Sequence, residues 1–384
     1  MNDDQHGWFE RVGVVAALAR SEASAIEEAG GFTIAMLAAL RESELFWATI
    51  PTEFGGGGTD IVTALRIIEM ISRADGSVGW TLMANMNAAA VACAYLPNRA
   101  LETVFAANPR PIFAGMLAPR GSATPMGDGF VVSGEYRFGS GVVNADWVGG
   151  GVFVRDAGVV RKLPSGAPDI RSFFVPRASI EVVGNWDVLG LRGTASVDYN
   201  IVQQFVDEAF GFALPDPVAL RPIPSYQLGL GPTGAAGHGA VAIGIAMRAF
   251  EELAAIVRSK RRPGFPGIVD QQLFLHDFAS KEASLQAARS WFFACFQSAY
   301  DTAFSDGEIT IIQKQRLRQA VTHATYVAAD VVKWCYTWGG SDSLRNPSPL
   351  GRCLRDISAA TQHVFVDHNT LVAVSPDLLA EWAT

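Results

Sequence analysis

The order in which residue periodicity changes along the chain constrains the fold most. From residue 8 to 108, apolar residues recur at steps of three and four, as in EASAIEEAGGFTIAMLAALRESELF, the spacing of one helix face. Between 111 and 212 that spacing gives way to alternation. In GFVVSGEYRFGSG, Phe130, Val132, Tyr136 and Phe138 share one face, and Val131, Ser133, Glu135 and Arg137 the other, as in a half-buried strand. DWVGGGVFV, RSFFVP, ASIEVVGNWDVLGL and ASVDYNIVQQFVDEAF follow, separated by Gly, Pro and Asp. From about Gly229 the helical step returns in three segments, each long enough for a bundle helix, and Gly339-Gly340 ends the third. After NPSP, LGRCLRDISAATQHVFVDH reads as a fourth helix with Pro near its start. This order predicts a mainly α chain with a central β domain: an N-terminal helical domain over 1–110, a sandwich or small barrel over 111–215, and a C-terminal four-helix bundle over 216–384.

A chain of 384 residues is long for one core and suits this division. Hydrophobic residues make up 49% and charged ones 18%, with a mean hydropathy of +0.19. So apolar a composition predicts large cores together with subunit interfaces. The net charge is −8, and the basic runs RSKRRP and RLR are short, which argues against nucleic acid as a partner. Four scattered cysteines without a CxxC pair suit free thiols in the cytoplasm. The polar, acidic MNDDQHGWFE does not resemble a signal peptide. The most apolar helical stretches are broken by Arg, Asp or His, so no membrane span is expected.

Three stretches bear on chemistry. EFGGGGTD (Glu53–Asp60) lacks the Lys and preceding strand of a phosphate-binding loop, and is expected to be a flexible connection between helices. NWDVLGLRGTASVDY (Asn185–Tyr199) joins a turn to Arg192, Thr194 and Ser196; a guanidinium and hydroxyls can bind a polar heterocycle or a phosphate, or merely face solvent on a hairpin. In RDISAATQHVFVDHNT, His363 and His368 lie five apart, about 140° around a helix, so they cannot share a metal. Arg352, Asp356, His363 and Asp367 fall on one helical stripe, at steps of four, seven and four. On it Asp367 would orient His363 as a general base, or the stripe is a solvated helix face. Trp80, Asn85, Asn87, Trp291 and Phe292 are candidate walls of a pocket for a planar substrate, or core residues.

The pattern Trp186, Gly190, Arg192, Gly193, Thr194, Ser196 resembles the Trp-x-x-x-Gly-x-Arg-Gly-Thr-x-Ser stretch of the acyl-CoA dehydrogenase superfamily. IPTEFGG, VVSGEYRFGSG, RRPGFPGIVDQQLFLHDFA and PLGRCLRD resemble further motifs of that family, in the same order and over nearly the whole chain. The resemblance implies an acyl-CoA-dehydrogenase-like fold, a flavin (FAD or FMN) at the junction of three domains, and a homotetramer of paired bundles. It implies that Ser140 lies near the flavin N5 and that Arg192, Thr194 and Ser196 take part in binding. It also implies that Arg261 or Arg262 and Gln271 or Gln272 reach a neighbour's flavin, and that Gly339 and Gly340 take part in cofactor binding.

The chain departs from the dehydrogenases at two places. Leu117-Ala118 stands where they carry Thr-Glu, and after Arg355-Asp356 the glutamate base is absent, its slot falling near Val364 beside His363. These departures resemble the oxygenase components of two-component flavin-dependent monooxygenases. Such enzymes take reduced flavin from a separate reductase, form a C4a-hydroperoxyflavin with molecular oxygen, and hydroxylate small aromatic or heteroaromatic substrates such as phenols and indoles. The resemblance therefore implies His363, Ser140 and Asp367 as catalytic residues. An acyl-CoA dehydrogenase or oxidase with a relocated base is the second expectation, and a flavin-binding protein without catalysis the third.

Overall fold

The computed structural model describes residues 3–383 except Arg262, Pro263 and Phe265. Five helices open the chain: α1 (Asp3–Ala29), α2 (Ile34–Glu42), α3 (Ile61–Ala74), α4 (Gly76–Tyr95) and α5 (Asn98–Ala107). Their starts follow from capping chemistry. Thr33 accepts from Met36 N, Asp60 from Thr63 N, and Asp75, which ends α3, accepts from Ser77 N and Val78 N to begin α4. The glycine run before α3 is no flexible connection. Gly57 N donates to Trp47 O at 3.0 Å and Gly58 N to Ile50 O at 2.9 Å. A Cβ on Gly56 would sit 2.2 Å from Ile50 O, so backbone packs on backbone there and only glycine fits.

Eight strands follow: β1 (Phe113–Met126), β2 (Gly129–Gly139), β3 (Trp147–Asp156), β4 (Val159–Val160), β5 (Ile170–Pro176), β6 (Ile180–Gly184), β7 (Val197–Asp207) and β8 (Gly211–Leu214). They form one mixed sheet in the order β6-β7-β2-β1-β3-β5-β8, with β4 paired to β3. The β1–β3 pair is parallel and the others antiparallel. The sheet curls until Phe130 of β2 meets Phe173 of β5 at 5.2 Å, and Tyr136 stacks on Tyr199 at 5.0 Å inside it. Phe138 leaves the alternation expected of it. The β2–β7 register shifts between Tyr136 and Gly139, Phe138 takes φ 62°, and its ring is 62% exposed. That bulge re-aims the end of β2, where Ser140 sits.

The bundle comprises the short α6 (Pro224–Gln227), then α7 (Leu230–Ser259), α8 (Gln272–Phe304), α9 (Ile311–Gly339), α10 (Pro349–Ala360) and α11 (His368–Trp382). The last 20 or so residues correct the expected single fourth helix. α10 stops at Ala360, Val364–Val366 form a 3-10 turn capped by His363, and Asp367 starts α11 by accepting from Thr370 N at 3.2 Å. Asp is a preferred N-cap, and the β-branched Val364 and Val366 hold helix poorly, so the local sequence favours a break here. Asp367 is therefore a helix cap and does not orient His363. The stripe through Arg352, Asp356, His363 and Asp367 does not form.

Arg352, Arg355 and Asp356 join the three layers. Arg352 pairs with Glu27 of α1 at 2.9 Å and reaches Ser24, and Arg355 also pairs with Glu27. Asp356 accepts from Leu191 N at 2.6 Å, and Gly190 packs so closely on Arg355 O that a Cβ would lie 1.9 Å from it. Among the described residues no helix is long and apolar enough to cross a membrane.

Candidate active site

Four segments converge on Trp80, one turn into α4. Its Nε1–H donates to Ser140 Oγ at 3.0 Å, tying the N-terminal helices to the end of β2. Ser140 Oγ is 2.7 Å from Ser196 Oγ, Ser196 Oγ is 2.7 Å from Thr194 Oγ1, and Thr194 Oγ1 donates to Leu191 O at 2.8 Å. The Arg192–Thr194 turn that carries this chain is bracketed by Leu191 and Ala195 at φ 54° and 44°, and Gly193 N donates to Ser77 Oγ. Each hydroxyl has one proton. Thr194 gives its proton to the carbonyl of Leu191, so Ser196 must give its own to Thr194, and Ser140 must give its own to Ser196. Ser140 is left with a lone pair to offer and no proton.

On the other side of Trp80 lie two imidazoles. His238 of α7 stands 4.9 Å edge-on to Trp80, and His363 5.9 Å. The two imidazoles stack on each other at 4.0 Å and 27°, with Phe365 at 5.2 Å from His363. His363 Nδ1 accepts from Phe365 N at 3.3 Å, so its proton is on Nε2. Burial among these rings pushes the His363 pKa down to about 4. Burial, then the neighbouring His363, pushes His238 well below the ordinary histidine value. Both are neutral at pH 7, and the pair resists a second proton.

The pocket candidates divide. Trp80 is central. Asn85 is buried, donates to Phe113 O at 2.7 Å, and leaves its Oδ1 without a partner against Gly141. Asn87 bonds to Met83 Sδ and Gly234 O beside Phe365. Phe292 is fully buried core between Phe293, Phe296 and Gly239. Trp291 packs edge-on against His323 at 5.6 Å; the structure does not bring it to the Trp80 cluster.

The residues expected to serve a flavin also divide. Thr194 and Ser196 are buried in the hydroxyl chain, and Arg192 is exposed at its mouth. Arg261, Gln271, Gln272, Gly339 and Gly340 gather where Lys260 Nζ donates to Gly339 O at 2.8 Å. That is the far end of α7, about 30 Å along the helix from His238 at 1.5 Å per residue, so one chain does not unite them with Ser140. Arg262 lies outside the described residues. An open groove of about 730 Å³ lies over β1, β2 and β7, lined by Arg120, Arg137 and Arg155 with Glu135, Ser122 and Asn200. Three guanidiniums against one carboxylate suit a phosphate.

The family model for the acyl-CoA dehydrogenase N-terminal domain matches residues 12–100, and that for the C-terminal domain matches 236–368. An indole-3-acetate monooxygenase of Pseudomonas putida is 30% identical over 335 residues, covering 85% of this chain and 82% of that one. The chain belongs to the acyl-CoA dehydrogenase superfamily. Within the superfamily it is a flavin-dependent monooxygenase. The oxygenase subunit HsaA of a flavin-dependent monooxygenase from Rhodococcus jostii is 23% identical over 369 residues, 94% of each chain. The crystal structure of 3-HSA hydroxylase from Rhodococcus sp. RHA1 shares the fold, with a TM-score of 0.89 at 22% identity over 99% of this chain and 98% of that one. Members of the superfamily are built to hold flavin, and the residues of this cluster suit one. A free lone pair on Ser140, an unpartnered buried atom at Asn85 Oδ1, and an arginine groove fit an isoalloxazine ring with a phosphate tail.

His238 is the member of this cluster that sequence reasoning missed. The available signal was a lone polar side chain between two glycines, Gly237-His238-Gly239, inside the otherwise apolar stretch 234–247. A Cβ on Gly237 would lie 2.2 Å from Met83 Cγ, and one on Gly239 2.7 Å from Phe292. The glycines let α7 close on α4 and α8, and that approach delivers the imidazole.

Proposed function

We propose that this chain is the oxygenase component of a two-component system, hydroxylating a phenol- or indole-like aromatic with dioxygen and reduced FAD or FMN from a separate reductase. The observation that carries this is the convergence on Trp80 of a hydroxyl chain and two neutral imidazoles, with no carboxylate base among the described residues of the cluster. A dehydrogenase acting on an acyl thioester needs such a base. Reduced flavin supplies the two electrons with which dioxygen yields one oxygen atom to the substrate and one to water. Ser140 would offer a bound ring a lone pair, which suits the N5–H of reduced flavin better than the bare N5 of the oxidised form. His363, neutral and with its proton on Nε2, holds or moves a proton at the substrate oxygen or nitrogen. The aromatic rings of Trp80 and Phe365 exclude water and favour a planar substrate.

The groove of Arg120, Arg137 and Arg155 would hold the flavin phosphate. The Arg261, Gln271 and Gly339 end of the bundle would serve a neighbouring copy's flavin in a cytoplasmic homotetramer. Exposed Leu273, Phe304, Ile311 and Trp382 favour such partners. The test is a single turnover. Reduced flavin is bound anaerobically, and air labelled with heavy oxygen is admitted with a panel of phenols and indoles. One labelled atom in the product is expected. Tight binding of oxidised FAD that an acyl-CoA then reduces would overturn the proposal in favour of a dehydrogenase.

A further inference from the structure

We propose that His238 sets substrate polarity, its Nδ1 accepting the hydrogen bond of the phenolic O–H or ring N–H of the bound aromatic. The inference rests on the aromatic hydroxylation proposed above and adds the residue that recognises the substrate's acidic proton. His238 is 5% exposed, and its Nδ1 is buried without a hydrogen-bond partner. A buried polar atom left unpaired is unfavourable, and most such atoms find a partner in protein, water or ligand. The protein offers none here. The ring is flanked by Trp80, His363 and Phe365, none of which bonds to it. Gly237 packed on Met83 and Gly239 packed on Phe292 hold α7 close to α4 and α8, which places the ring among these aromatics. A neutral imidazole carries one lone-pair nitrogen and one N–H. With the lone pair on Nδ1, the site is an acceptor walled by flat rings, and its complement is a flat ligand with one donor.

The experiment compares indole with indene, which has the same shape but carries CH₂ where indole has N–H. Both are titrated into the full-length chain, anaerobically, with reduced flavin present and again without it. Wild type is expected to prefer indole by about tenfold, which is about 1.4 kcal/mol. His238→Phe should lose that preference while binding indene as well as before, and His238→Asn should keep part of it. In histidine-labelled protein, the nitrogen resonance of His238 Nδ1 should move on adding indole and stay on adding indene. If His238→Phe does not fold, His238→Asn and the wild-type resonance decide. Equal preference in wild type and a folded His238→Phe, or a resonance unmoved by indole, overturns the assignment. Wild type that binds both ligands equally also overturns it, yet leaves aromatic binding standing. Wild type that binds neither brings down the aromatic proposal itself, and this inference with it.

Discussion

Ser196→Ala should shift the redox preference of the flavin site toward the oxidised form. In the wild type the only proton of Ser140 goes to Ser196 at 2.7 Å, because Ser196 gives its own to Thr194 and Thr194 gives its own to Leu191 O. Removing the Ser196 oxygen frees the Ser140 proton, while Trp80 Nε1 at 3.0 Å still fixes the hydroxyl in place. With Ser140 against flavin N5, as proposed, oxidised flavin gains a donor it lacked. A neutral hydrogen bond contributes about 1 kcal/mol net, so oxidised flavin should bind about fivefold to tenfold tighter. Reduced flavin keeps its acceptor, and its affinity should change less than about twofold. Tighter binding of the oxidised form lowers the midpoint potential, by about 20–30 mV for a two-electron couple. Both redox forms are titrated anaerobically by fluorescence, and the bound potential is measured against a reference dye. Ser140→Ala in the same background should erase the effect, which isolates the pairwise coupling. Equal weakening of both forms, or an unchanged ratio, would refute the fixed direction of the hydroxyl chain.

His363→Ala should keep the flavin but lose hydroxylation by about 10²–10⁴-fold, with the oxygen recovered as hydrogen peroxide, read as product and peroxide yield in one turnover. Because His363 titrates at about 4, wild-type coupling should be flat from pH 5.5 to 7.5 and fall only as pH drops toward 4. Burial, then the nearby Asp75, raises the Asp356 pKa to about 7, above its unfolded value. Its stabilisation is thus full below the unfolded pKa and lost as pH rises through about 7, so Asp356→Asn should flatten the urea stability profile between pH 5 and 8. A parallel profile would show Asp356 ionised throughout. Gly190→Ala places a Cβ 1.9 Å from the backbone oxygen of Arg355 and should destabilise by about 2–3 kcal/mol in urea melts, with flavin affinity falling as the Arg192–Thr194 turn shifts.

The helix–sheet–helix order was legible because periodicity is local: steps of three and four, or of two, are written within a dozen residues. The parallel pairing of β1 with β3, in which Phe113 faces Trp147, is not local, and nothing in either strand announces it. The bulge at Phe138 was invisible for a related reason. Its strand alternates perfectly on paper, and the shift arises from how β2 meets β7. The break after Ala360 could have been found. Asp367 followed by Asn369 and Thr370 is a start signal for a new helix, and it lost out only because the Arg352–Asp367 stripe looked continuous.

The site shows the same division one level up. Ser140, Thr194, Ser196 and His363 stood out because each sits in a motif. What the motifs could not show is that Trp80 bonds to Ser140 across sixty residues, or that the donor direction of three hydroxyls is fixed by a carbonyl at Leu191. Asp367 looked like the partner of His363 because spacing on an imagined helix put them one turn apart. The true neighbour, His238, is 125 positions away in sequence and comes into range because two glycines bring α7 against α4 and α8. The two arrangements differ in chemistry. A carboxylate partner would hold an imidazole proton and raise the ring's basicity, whereas burial in a cluster of stacked rings, with His363 adding to the effect on His238, makes protonation harder and keeps both rings neutral. Neighbours that keep a ring neutral by excluding charge leave no mark in linear spacing, because their effect depends on what surrounds them on every side.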